Sequence, residues 1–553
     1  MSPASSTTIG RYLVERLEQA GLRHVFGIPG DYVLGFYDLL VDSRLEVIGT
    51  CTEAGAGFAA DAYARVSGLG AVCVTYCVGG FNALNAVAGA YAEKSPLVVI
   101  SGAPGLGERA HSPLLHHKVR DFQTQRQIFE KVTIAAVSLE DAGTAPQQID
   151  ECLRACILHK RPVFLELPRD MVDASCSAPG AFEVPVPAGD AAVLGECLRE
   201  ASSMLRAAER PVILAGVEIH RFGLQDALVR LVETSGFPVA ATILGKSVIA
   251  EMHPQYLGVY EGAIGREDVR REVEDADCVL ILGAFMTDIN LGVYTANLDI
   301  ERTINVNSEQ AAIKRHHFDE VVLADFIDGL TRADLGARRS RPIASAAEVL
   351  GAAEFVSQPA SKVTVRRFFE RLNRFLEDGD TVVADIGDSL FGAADLVIRQ
   401  RTDFLSPAYY TSMGFAVPAG LGVQLHDRNS RAVIIVGDGA FQMTGQELST
   451  AARLGLDPIV FVLNNQGYTT ERFIHEGPYN DIHDWAYHRM PLLLRSGWGC
   501  QVSTEAELET ALETARGKRG EFSIINLHLD KLDRSPALER LATRLAERVG
   551  AKR

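Results

Sequence analysis

An α/β chain of three doubly wound parallel-sheet domains is the fold this sequence predicts, on three observations. Short β-branched runs alternate with helical patterns from end to end. The runs are apolar throughout, as in strands covered by helices on both faces. Two stretches rich in Pro, Ala and Gly, around 173–192 and 334–361, cut the 553 residues into three parts of ordinary domain size. The expected domains are 1–175, 193–340 and 360–553.

The elements follow in order. The chain begins MSPASSTTIG and turns amphipathic at once, without the apolar core of a signal peptide. A strand leads into the turn Phe26-Gly27-Ile28-Pro29-Gly30-Asp31-Tyr32. Residues Val66 to Ala92 carry no charge and are long enough to span a bilayer. Their glycines and their change of period favour a buried strand followed by a buried helix. Further strands are read at Leu97–Ile100, Pro162–Leu167 and Pro211–Ala215. The middle part shows no Gly-rich dinucleotide fingerprint. Near the end, a strand at Ala432–Val436 runs into Gly437-Asp438-Gly439. A helix is expected from about Phe441 to Leu454, then a strand at Pro458–Leu463 and the run Asn464-Asn465-Gln466-Gly467.

Composition narrows the function. Hydrophobic residues make up 47 % and charged residues 23 %, with a formal net charge of −17. Such acidity argues against nucleic acid or an anionic membrane as the main partner. The nine cysteines are scattered and form no CxxC pair, which reads as reduced thiols in a cytoplasmic protein.

The segment from Gly437 to Gly467 carries the chemistry. Glycines let backbone approach a phosphate, and a helix start offers free N–H groups and a positive dipole end. A diphosphate needs its charge neutralised further, by a hard cation on oxygen ligands. Asp438 supplies a carboxylate, Asn465 an amide oxygen and Gly467 a backbone carbonyl. A strand–GDG–helix turn alone is common without a ligand. GDG, 24 residues and then NN, both after buried strands, is far more specific.

This pattern resembles the thiamine diphosphate enzyme superfamily. The resemblance implies thiamine diphosphate and Mg2+ as cofactors, with Asp438, Asn465 and the Gly467 carbonyl holding the metal. It implies that Glu53, in Thr52-Glu53-Ala54-Gly55-Ala56-Gly57, activates the pyrimidine ring. Met413, in Tyr409-Tyr410-Thr411-Ser412-Met413-Gly414-Phe415, would prop the bent cofactor, and the Thr411 carbonyl would accept its amino group. Thr75, Asp388, Gly439, Ala440 and Tyr468 complete the implied cofactor contacts. In the family the cofactor lies between two subunits, so a homodimer or tetramer is expected. Taken singly, Glu53 could merely complement a helix dipole and Met413 could be core.

Four residues bear on the reaction: Asp31, His116, His117 and Glu471. An Asp after Pro-Gly is usually a turn residue, a loop His pair is usually solvated, and Glu471 could be an exposed first-turn residue. Together they resemble the pyruvate and indolepyruvate decarboxylase subgroup, which carries such groups at these places. That resemblance implies non-oxidative decarboxylation of a 2-oxo acid to an aldehyde and carbon dioxide. The decarboxylated fragment must take a proton and the aldehyde must leave, and both steps need positioned acid–base groups. Asp31 and Glu471 are read as proton carriers, and His116 and His117 as orienting and relaying groups. Leu390 stands where pyruvate-specific members place a Trp, leaving room for an aryl substrate such as phenylpyruvate or indolepyruvate. Some phenylpyruvate enzymes lack the late Glu that this chain keeps as Glu471, so pyruvate and branched-chain 2-oxo acids stay open. A carboligase of the acetolactate-synthase type, a flavin-dependent oxidase and a non-catalytic thiamine-binding protein are the rival readings.

Overall fold

The computed structural model describes residues 6–336, 344–351, 354–399 and 403–550. The Arg338–Pro342 run, the expected central boundary at 340, the first five residues and the last three lie outside them. Three large sheets organise the chain. The first runs, edge to edge, Glu46–Gly49, His24–Gly27, Gly70–Val74, Leu97–Ala103, Val163–Pro168, Ala135–Ser138. The last runs Phe404–Leu405, Asp380–Ala384, Arg431–Gly437, Ile459–Asn464, Ser523–His528, Trp498–Val502. Counted within its own part, each has the strand order 2-1-3-4-6-5, with every neighbour parallel. The two outer sheets therefore share one topology.

The central sheet has five parallel strands, in the order Tyr256–Tyr260, Val239–Thr242, Pro211–Ala215, Cys278–Leu282, Thr303–Val306. It then departs from the expected all-parallel pattern, since Ala311–Ile313 and His316–Phe318 add on antiparallel. The cause is local. The Asn307 side chain accepts the N–H groups of Glu309 and Gln310, both at 2.9 Å, and closes a turn too short for a crossover helix. A small antiparallel pair, Ser6–Thr8 with Ser175–Ser177, falls partly within the stretch read as the first linker.

By contacts the described chain forms two compact units. One holds the N-terminal sheet, residues up to Val186, together with Val417–Asn429 and Thr444–Pro458. The other holds the central and C-terminal sheets. Helices Ala416–His426 and Leu448–Leu454 join the first unit because Leu421, Leu425 and Ala451, with Leu456 just past the second helix, bury in its core. Small residues permit the close approach: a Cβ on Gly422 would stand 2.1 Å from the Ala59 carbonyl oxygen, inside helix Glu53–Ser67.

The uncharged run from Val66 to Ala92 resolves into strand Gly70–Val74 and helix Val78–Ala92. No helix among the described residues is long and apolar enough to cross a membrane. All nine cysteines are free thiols. The single helix expected after the GDG turn is instead Asp438–Thr444, a 3-10 turn Gly445–Glu447 and helix Leu448–Leu454. Gly445 is a weak helix former, and the break turns the Glu447 side chain toward Cys51 and Thr52.

Candidate active site

In the C-terminal sheet, strands Arg431–Gly437 and Ile459–Asn464 run side by side, with Gly437 opposite Leu463. Their following loops therefore emerge together at the carboxyl edge of the sheet, where α/β proteins bind ligands. Asp438 starts a helix there and is buried. Its Oδ1 accepts the Gly439 N–H at 2.8 Å and its Oδ2 the Gly467 N–H at 3.2 Å, so one carboxylate ties the two loops. Burial pushes the Asp438 carboxyl up to about 6 while those amides pull it down. Asn465 is buried beside it, and its Oδ1 has no protein partner among the described residues. A buried acceptor left unpaired costs free energy. Gln466 is forced into the left-handed region at φ 61°. Gly439 admits no side chain, since a Cβ would meet the Tyr468 ring at 2.4 Å. A buried carboxylate, an orphaned amide oxygen and a strained loop are what an oxygen-ligated cation and a phosphate need. These residues fit magnesium and a diphosphate.

The loop around Met413 is held from beneath. Asp385, at the end of strand Asp380–Ala384, is buried and accepts N–H bonds from Gly414 at 3.1 Å, Ala416 at 2.8 Å and Ile386 at 3.0 Å. Burial raises its carboxyl to about 6 against the pull of those amides. Thr411 is exposed, with φ at 57°, and Met413 is half-buried. Leu390 lies in helix Asp388–Ala393, buried in the core. Asp388 points both carboxylate oxygens at Ser535. Ala440 is buried, Tyr468 half-buried, and Glu471 exposed in the first turn of helix Thr469–Ile474.

The first unit brings the other predicted residues together. Glu53 opens helix Glu53–Ser67 behind Thr52, whose hydroxyl caps the Gly55 N–H at 3.0 Å. Its Oε2 accepts the Asn82 amide at 2.6 Å. Glu447, wholly buried, accepts the N–H groups of Cys51 and Thr52 at 3.0 Å each and pins the turn that carries Glu53. Thr75 is buried, and its Oγ1 has no partner among the described residues. Asp31 Oδ2 lies 2.7 Å from His116 Nε2. One ligating atom each of Asp31, His116 and His117 falls within 4.8 Å of the others. Tyr32 stacks on the His116 ring at 4.7 Å and is itself covered by the Arg169 guanidinium, which pairs with Glu108. His117 has φ at 65°, and its buried Nδ1 has no partner among the described residues. Asp31, His116, His117, Glu53 and Thr75 thus belong to one unit, and Glu471, Asp438, Asn465 and Leu390 to the other.

Sequence reasoning missed Asp385, Glu447, Asn82 and Tyr32. None sits in a catalytic spacing, and each acts on a partner distant in the chain.

Comparison with known proteins places the chain in a family. Residues 7–127 match the N-terminal TPP binding domain of thiamine pyrophosphate enzymes, 198–332 the central domain, and 385–527 the C-terminal TPP binding domain. Indole-3-pyruvate decarboxylase of Azospirillum brasilense is 38 % identical over 520 residues, 93 % of this chain and 94 % of its own length. Pyruvate decarboxylase isozyme 1 of Saccharomyces cerevisiae is 34 % identical, with 87 % of both chains covered. An alpha-keto-acid decarboxylase of Mycobacterium avium is also 34 % identical, over 95 % of this chain and 94 % of its own. Fold and site together define a thiamine pyrophosphate enzyme. Within that class, the chain belongs to the family of thiamine diphosphate-dependent 2-oxo acid decarboxylases.

Proposed function

We propose that this decarboxylase acts on bulky aryl 2-oxo acids of the phenylpyruvate and indolepyruvate type, releasing the aldehyde and carbon dioxide. Bound thiamine diphosphate supplies the nucleophilic carbon and the sink for the electrons that carbon dioxide leaves behind. Asp438, Asn465 and the Gly467 carbonyl hold the magnesium that carries its diphosphate. Gly439 and Ala440 admit the phosphates, while Thr75, Asp388, Thr411, Met413 and Tyr468 complete the cofactor contacts. Glu53 holds a proton at its carboxyl toward the pyrimidine ring. Asp31 and Glu471 give and take protons at the reacting carbon and the departing aldehyde oxygen. His116 and His117 orient the substrate and relay those protons.

The observation that carries this reading is the Asp31–His116–His117 cluster, three acid–base groups converging, with one imidazole nitrogen that has no partner among the described residues. Leu390, in place of a larger aromatic, supports the aryl preference. So does the name of the Azospirillum relative. Because Glu53 and Asp438 belong to different units, the family's arrangement of a site shared by two subunits supports a homodimer or tetramer, and the free thiols support a cytoplasmic compartment. The expected domain limits at 175, 193, 340 and 360 remain part of this proposal.

The test is a panel of phenylpyruvate, indolepyruvate, pyruvate and branched-chain 2-oxo acids, given thiamine diphosphate and magnesium, with aldehyde and carbon dioxide both measured. Equimolar products and the highest kcat/KM on an aryl acid are expected. Leu390→Trp should shift the aryl-to-pyruvate ratio toward pyruvate by about 10-fold, the scale of a hydrophobic pocket changed by one bulky group. A wild-type preference for pyruvate would overturn the aryl assignment.

A further inference from the structure

We propose that Ser535 and the Asp388 carboxyl form a latch seating the C-terminal helix on the two helices that bear Leu390 and Glu471. Ser535 thereby becomes a positioning residue for proton transfer and for the choice of acyl chain. The inference rests on the roles given above to Leu390 and Glu471.

Both members of the latch are buried, Asp388 at 8 % exposure and Ser535 at 1 %. The Ser535 N–H donates to Asp388 Oδ2 at 2.8 Å, and its hydroxyl donates to Oδ1. The same hydroxyl oxygen accepts the Leu538 N–H at 3.1 Å, and the Ser535 carbonyl accepts the Glu539 N–H at 3.0 Å. Ser535 is therefore the N-cap of helix Pro536–Gly550, with Pro in the first helical position. A carboxyl bound to such a cap also meets the positive end of the helix dipole.

The helix does not stand apart from the site. Ala537, Leu538 and Leu541 bury in one core with Leu390, Phe391 and Ala394. It packs against helix Asp388–Ala393 on one side and helix Thr469–Ile474, which carries Glu471, on the other. Just before the cap, the Arg534 guanidinium lies 4.2 Å from the centre of the Phe473 ring, two residues beyond Glu471. Asp533 Oδ2 accepts the Val365 N–H at 2.7 Å. The three residues Asp533, Arg534 and Ser535 thus fix where the helix begins, and Asp388 joins that start to the element bearing Leu390. Burial pushes the Asp388 carboxyl up to about 7, opposed by its bonds to Ser535. A carboxyl this buried is costly to keep, and each of its oxygens accepts a hydrogen bond from the cap.

The experiment uses the full chain with Ser535→Ala and Ser535→Thr. Hydrogen exchange over 536–543 is followed in the ligand-free protein. Steady-state kinetics on phenylpyruvate and pyruvate are followed with thiamine diphosphate and magnesium. In Ser535→Ala, exchange should quicken and kcat should fall about 10-fold, the size of one lost cap read as a rate. The KM for magnesium should stay constant and the aryl-to-pyruvate ratio should at least halve. Ser535→Thr, which keeps the hydroxyl, should restore exchange, kcat and ratio together. Unchanged exchange in the Ala variant would overturn the latch. Faster exchange with unchanged kcat and ratio would overturn the positioning role, as would a Thr variant as impaired as the Ala variant. A wild-type enzyme inactive on every 2-oxo acid would sink the decarboxylase roles instead, and the exchange data would still judge the latch.

Discussion

The Glu53 carboxylate stands at the first position of a capped helix with its Oε2 on the Asn82 amide. Glu53→Gln keeps the shape and the cap but removes the titrating oxygen. Turnover should fall by at least about 100-fold, the usual worth of a positioned acid–base group, with the melting temperature unchanged. Wild-type turnover in that variant would end the assignment. A different buried carboxyl invites a stability measurement. Glu261 is pushed up to about 8 by burial and by Asp395, against the pull of Arg540 and Lys246, and its Oε1 has no partner among the described residues. A folded-state value raised above the ordinary 4.5 means the native protein holds a proton that the unfolded chain has lost. That contribution is full below about pH 4.5 and disappears as pH rises through 8. Glu261→Gln should therefore be more stable than wild type at pH 8.5, by about 2 kcal/mol, and lose its advantage near pH 5; equal melting curves at both pH values would count against it. At this scale the pairing of the two loops was legible, because Asp438 and Asn465 stand at a telling spacing after buried strands. Asp385 and Glu447 were not. They receive backbone amides from segments far away in sequence, and an isolated acidic letter carries no sign of that.

Among the elements, the strands were the most legible, since a buried parallel strand is a short apolar run bounded by turns. The misread helix after GDG failed for the reason that makes it useful. Helix-forming residues flank Gly445 on both sides, but the chain breaks at that glycine and presents Glu447 to the Thr52 turn. Glu447→Ala should leave the Cys51 and Thr52 N–H groups unpaired at the start of helix Glu53–Ser67. The expected loss is about 2 kcal/mol in a denaturant melt, with faster hydrogen exchange confined to residues 51–56. A global, evenly spread increase in exchange would contradict this local account. The antiparallel end of the central sheet was also hidden, because its turn depends on one Asn side chain and not on an Asn-Gly pair.

For the molecule as a whole, three sheets and their class were readable from the alternation of runs. The common 2-1-3-4-6-5 order of the outer two was not, since strand order is a property of pairing and leaves no mark on local sequence. Function at this scale depends on ligands. Chelation and dialysis should abolish turnover, and magnesium with thiamine diphosphate together should restore it. The same addition should raise stability by about 2.7 kcal/mol at a hundredfold excess over Kd. Reconstitution by neither would count against the metal site. One further consequence concerns biosynthesis. The N-terminal core is closed by Leu421, Leu425, Ala451 and Leu456, which follow it by more than two hundred residues. Although chains usually fold from the end made first, this domain cannot reach its mature form on the ribosome until those four residues have left the exit tunnel. A nascent chain halted after Val186 carries an open apolar seat, and it is there that a chaperone has work to do.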